Sequence, residues 1–585
     1  MSFSYGIIGN CKTAALISRD GSIDWLCMPR FDSHSTFAAL LDSQKGGKFQ
    51  IATPSSPQII QTYLPETNIL QTEFDQGEHA FAIIDFMPRF RSGQGYCKPL
   101  EIHRILKPLR GKPTFRVLFE PKLDYARGET TITAYENLIT AHKGFETLFL
   151  YSSLPTKKII SGEIMVLDKE EYLLLSYHEK MDAPNFSYSH EMMTKTKEYW
   201  EGWSRHCHLP TIGTNMVLRS ALTLKMLTDE DTGAILAAVT TSLPEIMGES
   251  RNWDYRYCWL RDSSLIIESL KSIGHFEEAG GFIRFLLHLF ENKQTKIQIL
   301  YGIDGRTHLD EQILDHLCGY KNSSPVRIGN NAWLTNQNDI FGEIIYAIYL
   351  YYGHYQFEKM PEEVWSLVKF LVGTIAIQWQ NEDAGIWEYR NQKKHCTFSK
   401  VLSWVALDRG VKIANQLGKI HMAKLWDPIA QEIKKDIQEK GWNPEIGSYT
   451  QFYGSRDLDA SLLLMRHYGF LQKTDPQWLG LVRACEKKLM KNGFTLRYTH
   501  DDDFGTPKNA FIVASLWMAK AFHSIGEKEK ALSIFEKITT YANHLGLLSE
   551  CIDVESGELI GNFPQAYSHL AIISTANYLS QPSMV

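Results

Sequence analysis

A chain of 585 residues, 44% hydrophobic and 22% charged, is a globular protein too long for one ordinary core, so two or more domains are expected. A formal net charge of −6 without any long basic run argues against nucleic acid or an anionic membrane as a main partner. Aromatic residues make up 12%, including 14 Trp and 27 Tyr, and such flat apolar faces suit a sugar-binding protein.

The N-terminus, MSFSYGIIGN, lacks a basic stretch followed by an apolar one, so no secretory signal is expected. The most apolar run, "IIYAIYLYYG" (344–353), is too short to span a bilayer. Nine cysteines are scattered without a CxxC pair, which reads as reduced thiols in a cytoplasmic protein.

Residues 1–188 read as β. Short runs rich in β-branched and aromatic residues alternate with turn residues: "GGKFQIA" (46–52), "NILQTEF" (68–74), "AFAIIDFM" (80–87), "TFRVLFEP" (114–121), "TITAYENLITA" (131–141), "ETLFLYSS" (146–153) and "EYLLLSYH" (171–178). This spacing predicts an antiparallel β-sandwich. Residues 189–212 form a linker, helical over "SHEMMTKTKEYWEGWSRHCH" (189–208). The adjacent residues of its "HCH" point in different directions, which argues against a metal site.

From 213 to 585 the apolar period becomes 3.6. Twelve helices are expected near 213–228, 262–274, 276–292, 338–353, 361–380, 397–417, 419–440, 457–469, 475–491, 507–525, 527–544 and 564–580. Asp262 and Thr397 are expected as N-caps, and Gly274, Gly418, Gly469 and Gly526 as stops. Six helical hairpins can close into an inner and an outer ring. The long loops 229–261, 293–337, 381–396 and 545–563 all precede even-numbered helices, so a closed ring brings them to one rim.

That rim carries the chemistry. Cleaving a glycosidic bond needs one protonated and one ionised carboxyl. Glu388, in "GIWEYR" (385–390) between Trp387 and Tyr389, fits the acid, because apolar neighbours raise a carboxyl pKa. Glu550, beside Ser549 in a polar loop, fits the base. Arg261 and Asp262 offer a charged fork for hydroxyls, and Tyr255, Trp259 and Trp387 offer walls for sugar faces. Blander readings exist for each: Arg390 as an ion-pair partner of Glu388, Asp262 as a cap paired with Arg261, Trp253 as core, and "DDD" (501–503) as a solvated loop.

At these residues the chain resembles glycoside hydrolase family 15, the glucoamylase and bacterial trehalase family. The likeness starts with "YGIIGNCKTAALISRDGSIDWLCMPRFDSHSTFAALLD" (5–42). It continues through "NWDYRYCWLRDSS", "PVRIGN", "GIWEYR" with "FSKVLSWVALDRG", and "LLSECIDVESGELIGNFPQAYSHLA". The resemblance implies a β-sandwich followed by an (α/α)6 barrel and an inverting mechanism. It casts Glu388 as general acid, Glu550 as general base, Arg261 and Asp262 as the grip on the non-reducing-end glucose, and Tyr255 beside the catalytic water. Inversion implies carboxyls roughly 6.5–9.5 Å apart. Departures from the family pattern are Thr335 where a glutamine is usual, and Lys508 and Asn509 where small or acidic residues are commoner.

The expected function is therefore an inverting exo-acting α-glucosidase releasing β-glucose from α-glucans or maltooligosaccharides, with α,α-trehalase as the alternative. A glycan phosphorylase would not require Glu550, and a non-catalytic sugar-binding protein would be indifferent to Glu388→Gln. The chemistry calls for no cofactor or metal, and the sequence does not give an oligomeric state. The "RFDS" loop (30–33) is expected to reach the rim.

Overall fold

In the computed structural model, residues 3–54, 56–291 and 297–581 are described; the last residue of the predicted helix 276–292 and the start of the 293–337 loop lie outside them. Two antiparallel sheets fill the N-terminal region. One runs in the order Tyr5–Gly9, Ala14–Ser18, Ser22–Cys27, Lys48–Ala52, Thr114–Glu120, Met165–Val166, with Ser35–Phe37 paired to the third strand. The other runs Thr131–Ala134, Leu138–Lys143, Glu146–Ser152, Glu171–Tyr177, Glu101–Arg110, Ala80–Phe86, Leu70–Asp75, Gln58–Tyr63. Alternating burial along Leu70–Asp75 and Thr114–Glu120 turns one face of each strand inward. Phe81 of the larger sheet meets Phe115 of the smaller with ring centroids 6.0 Å apart, closing a sandwich. Between the sheets the buried Arg104 pairs with Asp85 at 2.7 Å and donates to the carbonyl of Phe49.

A short helix α1 (Thr156–Ser161) and the connecting helix α2 (Phe186–Ser204) follow. Asn185 caps α2, its side chain accepting from the Tyr188 N–H at 3.0 Å.

The barrel helices are α3 (Thr214–Met226), α4 (Leu260–Ser272), α5 (Glu277–Phe290), α6 (Asp339–Tyr355), α7 (Glu362–Gln378), α8 (Thr397–Gln416), α9 (Ile420–Lys440), α10 (Pro476–Leu489), α11 (Ile512–Ser524), α12 (Lys528–Thr540) and α13 (Ala566–Ser580). An inner ring closes through α4, α6, α8, the segment Ala460–Leu464, α11 and α13 back to α4. The other helices pack outside it. Burial pattern separates the rings. Inner α11 is buried nearly all round, while outer α9 buries one stripe, Ala423, Trp426, Ala430, Ile433 and Ile437.

Three expectations need correction. The eighth segment, expected as a full helix, is a 3-10 helix of five residues. There the Asp459 side chain accepts from the Ser461 N–H, and the Ala460 N–H is taken by the carbonyl of Arg497 instead of a helical partner. Asp262 is not an N-cap, because α4 already begins at Leu260, and Thr397 is the first residue of α8 without a capping bond. The glycine stops hold: Gly274, Gly418 and Gly526 follow their helices with positive φ.

The sandwich and barrel share one hydrophobic core. The "RFDS" loop reaches the barrel, with Arg30 3.0 Å from Asp304 and Asp32 2.6 Å from Arg306. Arg256, 1% exposed, donates to the Ser33 carbonyl at 2.8 Å while forking onto Asp254, which in turn accepts the Gly329 N–H. Trp25 donates to the Val239 carbonyl at 2.7 Å. Thus the sandwich directly holds the loops preceding α4 and α6. Among the described residues no helix is long and apolar enough to cross a membrane.

Candidate active site

The loops preceding inner helices meet at one pocket that both Glu388 and Glu550 line, with Tyr255, Trp259, Arg261, Asp262, Trp387 and Tyr389. "GIWEYR" folds as a tight turn: the Glu388 N–H bonds the Gly385 carbonyl at 3.1 Å, and Tyr389 N–H bonds that of Ala384. Glu388 itself has φ 63°, an uncommon left-handed conformation for a residue with a side chain. This separates its carboxylate from its sequence neighbours. Trp387 Nε1 donates to Asp459 at 2.9 Å, and the Tyr389 hydroxyl lies 3.1 Å from His500 Nε2 and accepts from Gln451. Glu388 instead accepts from Trp259 Nε1 at 2.8 Å and lies 3.3 Å from Arg261 Nη2. The expected tuning of Glu388 by Trp387 and Tyr389 is therefore corrected: their polar groups are engaged elsewhere. Arg390 is not its partner either, but pairs with Glu311 at 3.1 Å and stacks over Trp253.

Glu550 differs more from expectation. It precedes the strand Cys551–Ile552, which joins Ala510–Phe511 and Leu559–Ile560 in a small sheet, and it is 1% exposed. Its Oε1 accepts from the Tyr255 hydroxyl at 2.8 Å. A Cβ on Gly561 would stand 2.7 Å from Oε2, so the glycine makes room for the carboxyl. Burial, reinforced by the nearby Glu245 carboxylate, pushes Glu550 up to about 8, with Arg497 acting the other way. The polar-loop environment expected around it is replaced by an enclosed one.

Aromatic residues bridge the two carboxyls. Tyr255, on Glu550, meets Trp259, on Glu388, edge to face with centroids 5.3 Å apart. Beside them Arg261 Nη1 is fixed by Gln337 at 3.0 Å and Asp339 at 3.2 Å, with its Nε 3.5 Å from Asp262. Burial pushes Asp262 up to about 6 against the pull of Arg261.

Sequence reasoning missed the outer wall. Arg251 forks onto Asp502 at 2.9 and 2.6 Å, Phe504 packs edge-on against Trp253 at 5.0 Å, and Asp503 accepts the Arg390 N–H. The "DDD" segment is thus a strap across the mouth, in contrast to the solvated loop reading, and Trp253 lines the pocket. Glu245, Arg497, Gln565 and Tyr567 line it too. Their signal was present only as the polar segment ahead of the tenth helix, where the structure shows a loop extending to Phe511.

Glu550 Oε2, Gln565 Oε1 and the Tyr567 hydroxyl are buried without hydrogen-bond partners among the described residues. Unpaired acceptors and donors around an enclosed carboxyl suit a polyhydroxylated ligand. The ring of paired helices around them places the chain among the glycoside hydrolases. Residues 211–577 match the model for glycosyl hydrolases family 15, and residues 4–163 match that for a trehalase-like N-terminal region. A trehalase of Thermoplasma volcanium is 34% identical, over 99% of this chain and 93% of that protein. A trehalase of Mycobacterium tuberculosis is 36% identical over 97% of this chain and 88% of its own length. A bacterial glucoamylase solved with acarbose superposes with a TM-score of 0.72 at 15% identity, covering 100% of this chain and 95% of that one. The chain belongs to glycoside hydrolase family 15.

Proposed function

We propose that the protein is an inverting α,α-trehalase. The carrying observation is one pocket holding both carboxyls, bridged by Tyr255 and Trp259. In this reading Glu388 gives its proton to the glycosidic oxygen as the C1–O bond breaks. Glu550 takes a proton from water as that water attacks C1 from the opposite face. Arg261 and Asp262 hold hydroxyls of the glucose being released, and Trp387 and Tyr389 shape the wall beside it.

The starting preference for α-glucans gives way here. The trehalases match at 34% and 36% identity over nearly the whole chain, whereas the glucoamylase likeness at 15% speaks to fold. The strap of Asp502 and Phe504 also favours a small leaving group over a long glucan.

Incubation with trehalose, maltotriose and soluble starch, followed by NMR of the glucose anomers, tests this reading. Trehalose is expected to yield equal α- and β-glucose. Hydrolysis of the glucans alone refutes trehalase specificity, and α-glucose as the sole first product refutes inversion. Roles within the pair are separated with α-glucosyl fluoride, whose leaving group needs no acid. Glu388→Gln is expected to lose about two or more orders of magnitude on trehalose and to spare the fluoride, whereas Glu550→Gln loses both. The reverse pattern swaps the assignments.

A further inference from the structure

Glu245 lies on the loop between α3 and α4, 3% exposed, and lines the same pocket as Glu550. Its carboxylate is held from two directions: Oε1 accepts from Trp253 Nε1 at 3.1 Å, and Oε2 accepts from Arg497 Nη2. Its backbone is pinned as well, the N–H on the Arg251 carbonyl at 3.1 Å and the carbonyl on Asn509 Nδ2 at 2.7 Å. Asn509, a departure from the usual family pattern, thus serves to fix this residue. Arg497 is sandwiched near the Trp387 and Phe511 rings and is the cation acting on Glu550.

We propose that Glu245 is a positioning residue for Glu550: it anchors Arg497 in the pocket wall, and its negative charge sets the pH at which Glu550 ionises. The proposal rests on the reading of Glu550 as the base. Two carboxylates and one guanidinium in an enclosed space cannot all be neutralised. When both acids are ionised one negative charge is left over, and the attraction of Arg497 is divided between them. Because Arg497 is hydrogen-bonded to Glu245 and not to Glu550, its charge is spent mainly on Glu245. The groups facing Glu550 are Tyr255 and Glu245 from the loop before α4, Arg497 from the loop before α11, and Cys551 beside it, with Arg251 behind and Glu388 across the pocket. Among them Glu245 is the largest charge acting against ionisation of Glu550. A purely structural ion pair between Glu245 and Arg497 would matter to folding and leave the titration of Glu550 alone.

The test uses the full chain and α-glucosyl fluoride, so that the acidic limb of kcat/KM reports the base whatever the natural disaccharide. Glu245→Gln keeps the shape and removes the charge, releasing Arg497's attraction to Glu550. Its acidic limb is expected to move down by about one pH unit or more. Glu245→Asp keeps the charge on a shorter arm. Its limb is expected within a few tenths of a unit of the parent, with kcat reduced as Arg497 loses alignment. An active Glu245→Gln enzyme with an unmoved limb overturns the proposal, as does a Glu245→Asp limb that falls as far as a charge removal would take it. Each variant decides alone if the other fails to fold, as judged by circular dichroism. Glu550→Gln run in parallel isolates the underlying reading: if it keeps the parent's acidic limb, Glu550 is not the base, whatever the Glu245 variants do.

Discussion

Tyr255→Phe removes a single oxygen from the site and leaves the ring that packs on Trp259 at 5.3 Å. That oxygen supplies the hydroxyl donated to Glu550 Oε1 at 2.8 Å, while Oε2 has no partner among the described residues. A hydrogen bond to an ionised group contributes about 1.5–3 kcal/mol, and it favours the carboxylate over the acid. Losing it raises the Glu550 pKa by about one to two units at 1.36 kcal/mol per unit. A base must be ionised to act, so the acidic limb of kcat/KM moves to higher pH by that amount. At a fixed pH below the limb the rate falls by about ten- to a hundredfold. KM is expected to stay near the parent value because the aromatic wall remains. Stopped-time glucose release from trehalose between pH 5 and about 9 measures both quantities. An unmoved limb, or one displaced toward acid, refutes the role given to this hydroxyl.

Lys225 and Glu278 form a buried pair, 5% and 4% exposed, at 2.9 Å. Burial alone would raise Glu278, yet Lys225 holds it down to about 2. This contributes about 3 kcal/mol above the unfolded-state value near 4.3, lost as pH falls through about 2. Glu278→Gln is expected to lower the urea-unfolding free energy at pH 7 by about 3 kcal/mol or more, leaving Lys225 with Glu230 at 3.6 Å as its remaining partner. The deficit should shrink below pH 4. Glu343, fully buried, accepts from Tyr468 at 2.6 Å, and burial raises its carboxyl well above the usual range. The unfolded chain ionises near 4.3 and the folded one does not, so stability is fully present below that pH and declines as pH rises. Glu343→Gln is expected to remove that decline, making the variant relatively more stable at pH 7 than at pH 4. Thermal melts across that range measure it.

Much of the architecture could be read before any coordinates. The stripe on α9 and the glycines after α4, α8 and α11 express local rules of period and backbone freedom, which a single segment carries within itself. Segment Ala460–Leu464 was misread because its backbone partner, Arg497, is remote in sequence. Both expected site carboxyls do meet in one pocket, as the loop-before-inner-helix pattern required. Their surroundings were not legible. A left-handed φ turned Glu388 away from its flanking rings, and Glu550 was enclosed by Tyr255, Glu245 and Gly561, none of them adjacent in the chain except through folding. Neighbours in sequence are poor guides to dielectric environment wherever a tight turn or a short sheet redirects the side chain.

The seam between sandwich and barrel has a kinetic consequence. Trp25, Ser33 and Arg256 tie the two halves through the very loops that precede α4 and α6, and the core runs through without interruption. No hinge plane separates them, so the molecule does not breathe as two lobes. Glucose must leave past Asp502 and Phe504, and the lifetime of their hold on Arg251 and Trp253 sets a floor under the time each turnover takes.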